Sequence, residues 1–208
     1  MTVRRDHYVY IHADAQGSVF YVGMGCGERA WSKDRQAAWL HYVEHHLRGN
    51  YSVAIIHERL TEAEALHLED VTAETFGSTL INVQNQHRPF DYSLWQTHNE
   101  LAISSRSRAL NARNLEQSDP GAAADEYIAA LSEAYAADEI DYEPSLYSRI
   151  HREISPGDLS SVNRATLCLK RAGCHGKARD IALLHLHRYP LAKNAKQWKV
   201  IAKRVLAR

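Results

Sequence analysis

The chain has 208 residues, with 25 lysines and arginines balanced by 25 aspartates and glutamates and 45% hydrophobic residues. That length gives room for one large or two small domains, and a net charge of zero rules out a uniformly basic coat, so any attraction to phosphate must come from local patches. Cys26, Cys168 and Cys174 form no C-x-x-C motif and cannot all pair, which argues for a reducing compartment; without a signal peptide or an apolar run of transmembrane length, the expectation is a cytoplasmic protein with no membrane association.

The first elements are strands. His7–His12 and Ser18–Gly23 are rich in β-branched and aromatic residues, and Ala13–Gly17 between them reads as a hairpin turn. Alternation puts Tyr8 and Tyr10 on one face and Val9 and Ile11 on the other, with Phe20 and Val22 opposing Tyr21. One face is therefore apolar and packable, and the other presents phenols. A glycine-rich exit, Gly25-Cys26-Gly27-Glu28-Arg29, follows.

Trp39, Leu40, Val43 and Leu47 recur at helical spacing and predict a helix over 35–47. Tyr51–His57 reads as a third strand through Val53, Ile55 and Ile56. Thr61 and Glu64 form a capping-box pair that starts a second helix, which Gly77 ends. Glu69 interrupts the apolar stripe of that helix, four residues from both Ala65 and Ala73. A carboxylate facing a core must be paired or bind a cation, so Glu69 is either a metal ligand or half of an ion pair, with Arg29 as one partner. Leu80–Val83 predicts a short further strand.

Tyr8-Val9-Tyr10 and Tyr21-Val22-Gly23, followed by Arg29, Glu69 and Asn82 in this order of elements, resemble the signature of the GIY-YIG nucleases. The resemblance covers under half of the chain. It implies a metal-dependent endonuclease acting on nucleic acid, DNA ahead of RNA, with Mg²⁺ or Mn²⁺ held by Glu69. It also implies that Tyr10 or Tyr21 takes the proton from the attacking water, that Arg29 meets phosphate, and that Asn82 holds the metal-bearing helix and the short strand in register. Tyr8 stands as a supporting residue. The sequence departs from the family where Met24 stands in place of a lysine after the second tripeptide. Lys33, one helical turn beyond Arg29, is a candidate to replace that charge. His41 is a further supporting candidate; with His45 it has the i, i+4 spacing of a zinc pair but no third ligand.

Beyond Pro89 the chain becomes rich in alanine, leucine and arginine. Asp119-Pro120-Gly121 stops one helix and starts another, and Ser145–Glu153 predicts a short helix between proline-bearing breaks. Ala123, Tyr127 and Ala130, and later Ala178, Ala182, His185 and Pro190, resemble the second helix of tetratricopeptide-type hairpins, although the two sets lie much farther apart than that repeat's period of about 34 residues. The segment 116–143 is acidic, whereas Asp180 is the only acid after Arg164. Ala192–Leu206 is a basic amphipathic helix suited first to docking on the preceding hairpin, and also to a phosphate backbone or a membrane surface; Lys193, Lys196, Lys199, Lys203 and Arg204 are its candidates for gripping nucleic acid.

The expected architecture is α+β: a small mixed β-sheet flanked by helices over residues 1–90, then an all-α helical-hairpin domain over 91–208. The helical domain either grips nucleic acid or docks a protein partner. The competing reading is a catalytically degenerate module that only binds, with Met24 as the mark of lost chemistry.

Overall fold

The computed structural model describes residues 4–206. These form two compact units, one made of residues up to Phe90 together with Glu143–Arg152, the other of Asp91–Tyr142 and the chain from Glu153 onward. The class is α+β.

In the first unit, β1 (His7–Ala13) pairs on one side with β2 (Val19–Gly25) and on the other with β3 (Ser52–Leu60), both antiparallel. The hairpin turn is tied by the Asp14 carboxylate, which accepts from the backbone N–H groups of Gln16 and Ser18 at 2.9 Å each. Gly17 supplies the positive φ of 82° that the turn needs. Between β2 and β3, α1 (Ala37–His41) runs on into a π-helical turn (Tyr42–His46).

α2 (Glu62–Phe76) starts with the predicted capping box, Thr61 accepting from the Glu64 N–H at 3.2 Å while Glu64 accepts from the Thr61 N–H at 2.8 Å. Its end at Gly77 has a φ of 48°. Ala65 and Ala73 of α2 bury Val9 and Val22 on one face of the sheet, with Leu80 closing the cluster.

The opposite face does not present phenols to solvent. Tyr10 and His12 are fully buried there, with Trp39 of α1 packed against His12 at a ring separation of 5.6 Å. Phe20 lies on this face too and not with Val22. The β1–β2 register slips between His12 and Ala13, and this bulge turns Phe20 toward the rings of His12, Tyr42 and Tyr51.

Leu80–Val83, expected as a strand, starts extended at Leu80 but joins no ladder and bends at Val83, so every pairing in the sheet is antiparallel. The Ile81 N–H bonds to the Phe20 carbonyl at 2.8 Å, and the next edge position, Val22, is satisfied by a side chain instead of a backbone. Residues 143–152 belong with this unit. Arg88 pairs with Glu143 at 2.7 Å and lies 4.6 Å over the Tyr147 ring.

The second unit is helical. α3 (Tyr92–Leu115) and α4 (Pro120–Asp138) form a hairpin, with Asp119 capping α4 ahead of Pro120 at its first position. α5 (Leu146–Ile154) spans the division between the units. α6 (Leu159–Arg171), α7 (His175–Arg188) and α8 (Lys196–Val205) follow. Small residues let these helices approach closely, and Ala123, Ala165, Ala178 and Ala182 are fully buried in one core with Tyr127, Val162 and Ile201. Among the described residues, no helix is long and apolar enough to cross a membrane.

Candidate functional site

The first unit carries a cleft of about 490 Å³ between β2, α2 and the 82–87 loop, lined by Tyr21, Gln36, Glu69, Asp70, Asn82 and His87 among others. Three of the residues singled out from the sequence, Tyr21, Glu69 and Asn82, thus meet at one site.

Glu69 is half-buried, and burial raises its carboxyl above the ordinary range, with the Met24 backbone N–H pulling the other way and Asp70 adding to the rise. Among the described residues it makes no ion pair, so the expected alternative of pairing with Arg29 is not realised.

Asn82 uses its whole carboxamide on the sheet edge. Its Oδ1 accepts from the Val22 N–H at 3.2 Å and its Nδ2 donates to the Val22 carbonyl at 2.7 Å. One side chain therefore replaces one residue of a fourth strand, which fixes the 82–87 loop against β2.

The two tyrosines cross β2 at Gly23. A Cβ there would lie 2.6 Å from the Tyr10 hydroxyl oxygen and 2.9 Å from the Tyr21 ring, so only glycine lets the phenols approach. Their ring centroids are 6.1 Å apart. Burial pushes the Tyr10 phenol well above its usual range and Tyr21 raises it further, while Arg35 offsets part of the shift. Tyr10 therefore holds its proton at neutral pH, and Tyr21 is the phenol that lines the cleft.

Arg35 is the cation at the phenols, 5.4 Å from the Tyr10 ring centroid and 5.3 Å from that of Tyr21. It is held by the carbonyls of Ser32 at 3.1 Å and Ala30 at 3.3 Å, and by that of Arg29. Arg29 points elsewhere. Its side chain is exposed, lies over Gly25 and donates to the Asp34 carbonyl at 3.2 Å. Sequence reading missed Arg35, which sits in a polar run with no motif around it.

The supporting residues are dispersed. Tyr8 ties down the glycine-rich exit, donating to the Gly27 carbonyl at 2.7 Å and accepting from the Ala30 N–H at 3.0 Å. Lys33 is exposed. His41 stacks on His45 at 4.3 Å, and neither lines the cleft.

Two histidines not singled out do more. His12 is fully buried and accepts at Nδ1 from the Trp39 indole N–H at 3.1 Å, so Nε2 carries the proton it donates to the Ala30 carbonyl at 2.9 Å. Burial pushes its pKa down to about 4. His87 borders the cleft, with Nε2 2.9 Å from Asp70 Oδ1, which also accepts from Gln86 at 3.0 Å. These bonds hold the exposed Asp70 carboxyl below its usual range. The 85–87 turn has no periodic signal by which it could have been found.

To a hard divalent cation the cleft offers one desolvated carboxylate without a protein counter-charge, the side-chain oxygens of Tyr21, Asp70 and Gln84 and the His87 imidazole in the same lining, and no thiol. Asn82 is not a free ligand, since both its polar atoms are engaged.

In the second unit, Lys193, Lys196, Lys199 and Lys203 are exposed. Arg204 does not share that surface. Its guanidinium donates to the Asn163 carbonyl at 2.7 Å and Oδ1 at 2.8 Å, and to Thr166 at 3.2 Å, which ties α8 to α6.

The class defined by fold and site is an α+β protein whose sheet and following helix border a polar cleft that holds the Glu69 and Asp70 carboxylates. No protein-family model, curated protein or solved structure matches the chain.

Proposed function

We propose that the first unit is a divalent-metal-dependent endonuclease domain that hydrolyses phosphodiester bonds, with DNA ahead of RNA as substrate. The observation that carries this reading is Glu69, a desolvated carboxylate without a protein cation, in one cleft with Tyr21 and beside the Arg35–phenol cluster. Burying a charge in that state is unfavourable unless a ligand compensates it. Glu69 would hold Mg²⁺ or Mn²⁺, which when bound supplies Lewis-acid polarisation of the phosphate and shields the leaving oxygen.

The chain's own residues do the rest. Tyr21 gives up its phenol proton to solvent and, as the phenolate, takes the proton of the attacking water at its oxygen, with Tyr10 beside it as a buried, protonated neighbour. Arg35 supplies the nearby positive field, in the place where Arg29 was expected to act. Asn82 keeps the cleft loop on β2, and the exposed Lys196, Lys199 and Lys203 offer a basic face to a phosphate backbone.

A non-catalytic binding module is the second reading. It is favoured by the high pKa of Tyr10 and by Met24, which puts no charge where a lysine was expected. Incubation with supercoiled plasmid, single-stranded DNA and RNA in Mg²⁺ or Mn²⁺, beside Glu69→Ala, separates the two. Metal-dependent cutting by the wild type, reduced at least about a hundredfold in the variant, supports the nuclease. Binding without cutting on every substrate supports the module.

A further inference from the structure

The segment between the glycine-rich exit and α1 holds a side chain that the cleft chemistry leaves unused. Trp31 is 51% exposed, although the 3-10 turn that carries it (Arg29–Trp31) is firmly held. Its central residue, Ala30, is fully buried. Ala30 donates its N–H to the Tyr8 hydroxyl at 3.0 Å, and its carbonyl receives both His12 at 2.9 Å and Arg35 at 3.3 Å. The exposure of Trp31 is thus not the looseness of a free loop. The fold holds an indole in water, and its ordering entropy is already spent.

The surroundings indicate what it would meet. Arg29 and Lys33, two residues to either side, are exposed cations; Glu28 and Asp34 balance their charge, and Arg35 leaves the stretch 28–35 with one net positive charge. A continuous series of rings leads inward from it: Trp31 to Tyr8 at 6.5 Å, Tyr8 to Tyr10 at 5.9 Å, and Tyr10 to Tyr21 of the cleft at 6.1 Å. A flat, rigid π surface flanked by cations suits a nucleobase with its neighbouring phosphates. A base inside a duplex already has both faces covered by its neighbours, so only an unpaired or extruded base can use it.

We infer that Trp31 is a stacking platform for an unpaired nucleobase, which directs the cleft to single-stranded or locally opened nucleic acid. The inference rests on the nuclease reading for its purpose but not for its measurement. The test is fluorescence anisotropy in EDTA with labelled oligodeoxythymidylate, oligouridylate and a short duplex, using the full chain, Trp31→Ala and Trp31→Phe. Plasmid and single-strand cleavage in Mn²⁺ is run alongside, and thermal melting checks the fold.

The expected result is a loss of about tenfold or more in single-strand affinity for Trp31→Ala, near-wild-type binding for Trp31→Phe, and less than a twofold change on duplex. Equal single-strand binding by wild type and Trp31→Ala, while the wild type still cuts, overturns the platform and leaves the nuclease standing. Trp31-dependent binding without cutting on any substrate sustains the platform and removes the nuclease. Failure of the wild type to bind any strand overturns the platform whatever the cleavage assay gives.

Discussion

Both units pair charges within the fold, the sheet-bearing one through Arg88 and Glu143 at 2.7 Å, but the sheet-bearing unit also leaves one half-buried carboxylate apart. In the helical unit charges are closed into local sets: Glu116 with Arg164 and Tyr127, Arg108 with Glu126 at 3.2 Å and Glu133 at 2.7 Å, and Arg188 with Glu139. In the sheet-bearing unit Glu69 is desolvated and left without a cation, at the wall of a cleft. Charges that are paired within the fold stabilise or specify it. A charge that the fold leaves uncompensated has room for a ligand from outside, and the proposed chemistry of the first unit rests on that difference.

Several measurements would break or sharpen this contrast. The largest expected effect is on activity, where Glu69→Ala removes cleavage while Glu116→Ala leaves the cleavage rate per folded molecule unchanged. Equal losses in both would erase the distinction.

Acid should act strongly through His12. Its folded pKa of about 4 lies below the unfolded value of about 6.5, so the unfolded chain binds more protons in that window. Stability is then lost as pH falls from about 6.5 to 4, by roughly 3 kcal/mol in all, and urea melts across this range should show it. His12→Gln should flatten the dependence. His185, which is fully buried in the helical unit and also pushed down by burial, adds a loss of the same sign that remains in that variant.

Gly23→Ala should destabilise by about 2 kcal/mol, because the added methyl meets the Tyr10 phenol. Glu116→Ala should destabilise by a similar amount, about 2 kcal/mol, by leaving Arg164 and Tyr127 without their acceptor. Both are read from denaturant midpoints at pH 7.

The smallest effect is the most diagnostic. The Glu69 carboxyl is raised on folding, so the folded state binds more protons just above the usual carboxylate range and stability falls as pH rises through it. Glu69→Gln should therefore melt slightly higher than wild type at pH 7, with the gap closing near pH 3, even as it loses activity. A lower melting point at pH 7 would mean that Glu69 has a structural partner after all.

Much of this was legible in the chain itself. The hairpin runs, the Thr61–Glu64 capping box, the Gly77 stop and the Asp119-Pro120 restart are local signals, each complete within a few residues, and each element formed where its signal lay. Glu69 could be singled out because a carboxylate in an apolar stripe conflicts with its own helix. Arg35 and His12 could not, because their roles come from Tyr10, Tyr21, Ala30 and Trp39, which are brought to them by the sheet and α1.

Side-chain period and end caps arise from neighbours along the backbone, so the pattern of residues settles the α+β class and the order of elements. Which face was covered, which cation reached the phenols and whether 80–83 became a strand were tertiary outcomes. The bulge at His12/Ala13 turned Phe20 over, and Asn82 took both backbone groups of Val22, 60 residues away in sequence, so that the edge was satisfied without another strand. Hydrogen-bond satisfaction and burial are properties of what surrounds an atom in space, and residues far apart in the chain supplied those surroundings.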